Sequence, residues 1–408
     1  MGMAERDPEL ATAALLARRA TLRADPALIS SLAGRDRADM VGQVLNAPPS
    51  TDRAPQSEKS DETVTWWIRQ IGAPSSGLHE RLTFFWHGLI PTHRYSIGWQ
   101  ELVATQLNMI RDNALGNFRE MLQAFVVDGA MIRYLDADSS SARRPNENLA
   151  RELMELFTTG IGHYSEGDVR QAALAMTGWR VDRDTYAVSF DPERAYTEPV
   201  TFLGETKKWD LASIVDRLCD HPATAARVAS RLWFHLTGKE IEGAAKAELG
   251  SWWQGQNLEI RPLVERILMD DVFWSDHYAR PRTGFEFYAA AQNILGLDPT
   301  KVYQARNIGQ QLYEPPNVGG WPIGLRWLNP DSMLRRSEML FGVDLREVSG
   351  GTTASIDEIL NRCGIYVVSD ETMAVLNGAA NNPEEIGQEG VVQLQWRIAL
   401  SSPEFQLQ

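Results

Sequence analysis

Between residues 147 and 157 the chain sorts its side chains onto two sides of a helix. At about 100° per residue, Glu147, Arg151, Glu155, Asn148 and Glu152 fall in that order within an arc of roughly 140°. Leu156, Leu149, Leu153, Phe157, Ala150 and Met154 fill the opposite arc. A strand would not separate these residues cleanly, so the segment reads as an amphipathic helix with one face buried. Pro145 and Asn146 mark its start, Gly160 and Gly162 its end. Ser165 and Asp168 then make a Ser-x-x-Asp capping pattern that launches a second helix through Val169, Ala172, Ala173, Leu174 and Met176 to Gly178. Residues 146–179 therefore form a helix-turn-helix whose Leu149, Leu153, Leu156 and Phe157 are expected to anchor it in a core.

Helical spacing of apolar residues recurs along most of the chain: over 10–22, in a stretch ending near 45, and over 66–71, 80–89, 101–113, 117–127 and 131–135. It returns over 260–269, 285–295, 332–341, 355–363 and 391–400. Asp220 and Pro222 read as a cap and a first-turn proline for a helix that Gly238 closes. Over 181–203 the pattern changes to alternating Tyr186, Val188 and Phe190, then Val200 and Phe202, which predicts a small β-hairpin or irregular excursion. The expected fold is mainly α, a multi-helix globular bundle. Residues 48–63, rich in Pro, Ser and charge, read as a linker or surface loop between an N-terminal helical segment, 1–47, and a main helical domain, 64–408. The (Asp/Ser)-x-x-Phe endings at 270–273 and 402–405 read as shared capping, not a repeat.

A formal net charge of −14 opposes general binding to nucleic acid or anionic membranes. Cys219 and Cys363 are far apart and match no ligand spacing, which fits a reducing compartment. Acids at Glu5, Asp7 and Glu9 precede the first short apolar stretch, the reverse of a secretory leader, and no apolar run approaches the ~18 residues of a membrane span. A cytoplasmic protein is expected.

Two readings of the polar arc follow from its chemistry. Glu147, Glu152 and Glu155, with Arg151 and Asn148 among them, are suited to line a site where clustered carboxylates split their pKa values or hold a hard cation. Alternatively, Glu147–Arg151 and Arg151–Glu155 are i,i+4 pairs on a solvated face, each contributing about 0.2–0.5 kcal/mol. His87 lies seven residues after Glu80 on one helix face, as an acid/base candidate or a half-buried histidine. Asp136 precedes a Ser-rich loop leading to the arc. Residues 313–324 hold Asn317 and Trp321 among prolines and glycines, as a binding loop or a structural plug. Of the thirteen tryptophans, Trp179, Trp321 and Trp327 sit in loop-like settings open to ligand stacking, whereas Trp66, Trp86 and Trp233 belong to apolar helix faces. No metal-ligand spacing, P-loop or dinucleotide fingerprint is present, and no cofactor is indicated.

The run Pro-Asn-Glu-Asn-Leu-Ala-Arg-Glu-Leu-Met-Glu-Leu-Phe at 145–157, followed by Gly160-x-x-x-Tyr164-x-x-x-Asp168 and Ala-Met-Thr-Gly-Trp at 175–179, resembles the signature of the bacterial domain-of-unknown-function 1800 family. The likeness extends to Phe85-Trp86-His87, Ala-Leu-Gly-Asn-Phe-Arg at 114–119, Tyr134-Leu135-Asp136, His-Pro-Ala-Thr-Ala at 221–225, Pro-Pro-Asn-Val-Gly-Gly-Trp-Pro at 315–322 and Ser-Pro-Glu-Phe at 402–405. It departs where Ala195 and Tyr196 stand in place of an expected His-Asp pair before Phe202. The resemblance implies a mostly helical fold, no particular reaction, and a neighbouring sulfatase-like protein of the domain-of-unknown-function 1501 family as a partner.

The expected function is that of a binding or accessory protein with a carboxylate/Arg-lined cleft for a polar ligand or protein partner. In that cleft Asn148, Arg151, Glu155, Asp136, Trp179, Asn317 and Trp321 would bind. The alternatives are an acid/base or metal-assisted hydrolase or lyase acting on a carbohydrate or sulfated polymer, with Glu147, Glu152 and His87 as its acid/base residues, and a purely structural Glu-Arg network.

Overall fold

The computed structural model describes residues 2–23, 25–73, 76–298, 308–348, 350–379 and 383–408. Helices carry most of the chain, so the fold is mainly α as expected. The strands are β1 (Met3–Glu5), β2 (Trp179–Val181), β3 (Val188–Phe190), β4 (Val200–Phe202), β5 (Glu205–Lys207) and β6 (Val367–Ser369). They pair antiparallel as β1 with β6, β2 with β3 and β4 with β5. The expected excursion at 181–203 is thus two small hairpins. Asp168 Oδ1 accepts the Leu203 N–H (2.8 Å), pinning the second hairpin to the helix Glu166–Ala175. Among the described residues, no helix is long and apolar enough to cross a membrane.

Caps set most helix boundaries. Asp7 accepts the N–H groups of Glu9 and Leu10 and starts the helix Pro8–Ala20. Ser165 and Asp168 form the expected reciprocal capping box. The two (Asp/Ser)-x-x-Phe echoes are N-caps, Asp270 and Ser402, of the short helices Asp271–Trp274 and Pro403–Gln406. One expected cap is corrected: Asp220 ends the helix Leu211–Asp220, and His221 caps the helix Pro222–Thr237 by accepting the Ala223 N–H on Nδ1. Gly238 closes that helix in the left-handed region, φ 74°. The helix Ser60–Gly72 begins inside the stretch expected to be loop. The helix Gly243–Gly255 escaped sequence reading because it shows little amphipathic period. It packs closely on Pro222–Thr237, and a Cβ at Gly250 would lie 2.5 Å from Ala226 Cα.

One contiguous apolar core runs from Ala11 to Phe405. Within the fold, Arg18, Arg19, Arg81, Arg280, Arg282 and Arg336 are each 4% exposed or less, and Glu286 only 1%. Arg81 and Arg280 both donate to Glu286 Oε1, the latter at 2.7 Å. The other four arginines turn mainly to backbone oxygens: Arg18 to Glu404 and Leu407, Arg19 to Phe273 and Asp276, Arg282 to Phe405, Arg336 to Arg282 and Trp327. Burial draws Arg19 and Arg81 down to about 9 and Arg336 to about 10. For Glu286 burial alone would raise the pKa, yet Arg280 and Arg81 pull it to about 2.

Neutralising Glu286 would leave two buried guanidiniums without a counter-charge. Glu286→Gln is expected to lower stability by about 3–5 kcal/mol in guanidinium denaturation at pH 7. Because the folded pKa lies below the unfolded one, this contribution is full above the unfolded pKa and fades as pH falls through about 2. A variant within 1 kcal/mol of the parent would show that the carboxylate does not hold the cluster.

Candidate functional site

The signature helix begins as an α-helix over Asn148–Glu152 and continues as a π-turn over Leu153–Phe157. Leu149, Ala150, Leu153, Met154 and Phe157 are buried as the sequence predicts, but Leu156 is only half-buried. Thr158 Oγ1 and Thr159 Oγ1 donate to the Leu153 and Met154 carbonyls (2.6 and 3.2 Å) at the end of the turn. The i→i+5 winding swings Glu155 off the column expected for an α-helix. Arg151 accordingly pairs with Glu147 (3.0 Å) and, through both terminal nitrogens, with Glu166 (2.7 and 2.9 Å). The expected Arg151–Glu155 pair is absent, and Glu155 instead accepts from Tyr164 Oη (3.2 Å).

Glu152 is half-buried and has no hydrogen-bond or ion-pair partner among the described residues. Burial, then the like charge of Glu155, raises its pKa. Asn148 is exposed, with its N–H on Asn146 Oδ1. Asp136 is exposed in a left-handed turn, φ 55°, its carbonyl accepting from Ser139. Trp179 sits in β2 against Phe190, ring centroids 5.5 Å apart.

His87 and Trp321 come together elsewhere, with ring centroids 5.2 Å apart. His87 is 1% exposed and packs on Trp67 and Tyr313, and its Nε2 accepts the Tyr313 N–H (3.1 Å). Burial lowers its pKa to about 3, so it is neutral at physiological pH. Asn317 is exposed and closes its own turn, Oδ1 accepting the Gly319 N–H (2.9 Å). Among the described residues, no hydrogen bond, ion pair or ring contact joins the His87–Trp321 pair to the polar arc. Nor do any three His, Cys, Asp or Glu side chains there cluster as a metal site.

A concavity opens beside Trp321. It measures about 80 Å³ and has walls from Phe84, Phe85, Leu89, Phe234, Trp321 and Pro322, with Arg231, His235, Arg280, Thr283 and Gln310 as its polar members. Arg231 is half-buried and makes no hydrogen bond or ion pair with the described residues. Burial lowers its pKa against only a through-space pull from Glu240. Arg280 Nη2 stands 3.5 Å from His235 Nδ1, and a guanidinium only donates, so Nδ1 is the acceptor and the ring proton sits on Nε2. That Nε2 is enclosed and has no partner. Burial, then the charges of Arg81, Arg280 and Arg231, holds His235 well below 6.5, in the neutral state. Gln310 spends its oxygen on the Phe285 N–H (2.9 Å), and its amide nitrogen has no acceptor among the described residues. The polar wall is thus rich in donors and poor in acceptors.

Of these residues the sequence analysis singled out only Trp321. A signal was present: Arg227, Arg231 and His235 recur every fourth position on Pro222–Thr237, a polar stripe of basic residue types on a helix otherwise assigned to the core.

Fold and pocket together define a mainly α protein with an aromatic, donor-lined cavity set beside a buried arginine cluster. Over residues 14–407 the chain matches the model of a family described as a protein of unknown function (DUF1800), and it belongs to that family. No curated protein and no solved structure matches it.

His87 provides a check on this packing. The unfolded chain takes up a proton below about 6.5, which the folded one refuses until about 3. Its contribution is therefore full above 6.5 and lost as pH falls through that window, at about 1.4 kcal/mol per pH unit. His87→Gln should flatten the stability–pH slope between pH 6 and 4 by about one proton. An unchanged slope would place the imidazole in contact with water.

Proposed function

We propose that this chain is a binding protein whose ligand presents an anionic group to the pocket walled by Arg231, His235 and Gln310. One observation carries the reading: on a single concave wall the half-buried guanidinium of Arg231 has no hydrogen-bond or ion-pair partner among the described residues, and beside it the Gln310 amide nitrogen has no acceptor. Buried polar groups are almost always satisfied, and an unpaired charge in a partly dry site costs stability unless something binds there. Aromatic walls around a few convergent polar groups are also the usual composition of a small-molecule site. The carboxylate/Arg arc of the signature helix supports a ligand role less well, because Arg151, Glu147 and Glu166 already satisfy one another.

A residue kept for binding at the expense of stability leaves a recognisable trace. Arg231→Met should raise the unfolding free energy by roughly 1 kcal/mol, because it removes a half-buried charge that no hydrogen bond or ion pair among the described residues compensates. At constant ionic strength, small anions such as acetate and sulfate should raise the melting temperature of the parent and fail to do so for the variant. A destabilised variant that keeps its anion response would assign Arg231 a structural part and sink the proposal.

A further inference from the structure

The pocket's charge does not end at its wall. Arg280, on the wall, belongs to the interior group of six arginines in which Glu286 is the buried carboxylate bonded to Arg81 and Arg280. Backbone oxygens accept from the others but carry no net charge, and each of the four keeps one buried nitrogen without a partner, so the cluster keeps an excess of positive charge. Water screens this excess poorly at such depth. The depressed titration of His235, driven after burial by Arg81, Arg280 and Arg231, registers the same field inside the cavity. The excess favours a doubly charged guest over a singly charged one.

The donors give a second constraint. The guanidinium fork of Arg231 and the amide N–H groups of Gln310 can each meet a different oxygen of one acid group. A phosphoryl group presents three terminal oxygens, and a guanidinium meets such oxygens in pairs. The remaining walls are mostly rings: Phe84, Phe85, Phe234 and Trp321. A water needs about 10–15 Å³ on the scale by which this cavity measures about 80 Å³, so the space holds roughly five to eight waters, about the bulk of one small ring with its acid group.

Building on the reading of the pocket as an anion site, we infer that its ligand is a dianionic phosphate monoester of an aromatic alcohol, held through its phosphoryl oxygens by Arg231 and Gln310 with its ring against the phenylalanines and Trp321.

Three probes separate charge from shape: phenyl phosphate, a tetrahedral dianion at pH 8; phenyl sulfate, a tetrahedral monoanion; and benzoate, a planar monoanion. Binding to the full chain is followed by ligand-observed NMR at fixed ionic strength. Phenyl phosphate should bind at least about tenfold more tightly than either rival at pH 8. Its lead over phenyl sulfate should shrink as pH falls through about 6, where the phosphate gains a proton. Arg231→Lys should lose part of the affinity and Arg231→Met nearly all, with circular dichroism confirming that both remain folded.

Benzoate or phenyl sulfate matching phenyl phosphate, while still requiring Arg231, would overturn the dianion inference and leave the anion pocket standing. Binding of phenyl phosphate that is indifferent to Arg231 would overturn both. So would the absence of binding by all three probes together with an anion response unchanged in Arg231→Met.

Discussion

The ion pairs that Glu286 makes with Arg81 and Arg280 fix how the two halves of the chain meet. Arg81 comes from the helix Leu78–Leu89, Glu286 from the first turn of Gly284–Leu295, and Arg280 from the extended segment between His235 and the chain's last residues. Arg280 also exchanges backbone hydrogen bonds with Gln408. A guanidinium this deep has lost its water, and only a carboxylate or several well-aimed oxygens restore what was lost. Moving any one of these segments would strand a charge. The apolar core around them tolerates small shifts far better, so the ion pairs set register where hydrophobic contact alone would not.

The same arrangement reverses the electrostatic character of the molecule from outside to inside. Overall the chain is acidic, at −14, yet its interior concentrates arginines around Glu286. The concavity beside Trp321 has in its wall Arg280, a member of that cluster, and Arg231. On the proposed reading, a negative exterior would discourage indiscriminate capture of polyanions, while a positive recess would admit a small anion that fits the ring-lined walls.

Helix periodicity, the Ser165–Asp168 capping box, the Gly238 stop and the strand-like alternation near Val188 and Val200 were all legible, because each is a local rule that tertiary packing had no reason to override. The buried arginines were not. A charged residue in sequence is read as solvent-facing by default, and nothing local distinguishes Arg282, bonded to a distant carbonyl, from an arginine on a wet face. The π-turn was hidden for a different reason: the wheel that sorted Glu147 to Phe157 assumes a constant rotation per residue. It therefore placed the first turn correctly and misjudged Glu155 and Leu156. His87 carried the right residue type, but in the folded chain it belongs to the packing around Tyr313.

The π-turn also connects the signature segment to the pocket without lining it. The Leu156 carbonyl lies in the last turn, where a helix leaves its carbonyls without intrahelical partners, and Arg227 Nη1 donates to it. Gly160 admits that side chain: a Cβ there would stand 3.1 Å from Arg227 Cδ, at a φ of 83° that favours glycine in any case. Arg227 lies one turn before Arg231 and two before His235 on the same helix. Holding its guanidinium against the π-turn therefore fixes the rotation of Pro222–Thr237 about its own axis, and with it the direction in which Arg231 and His235 project. On this argument, the apolar side chains of the signature helix seat it in the core, its arc of charges closes on itself through Arg151, and its irregular final turn orients the donors of the pocket.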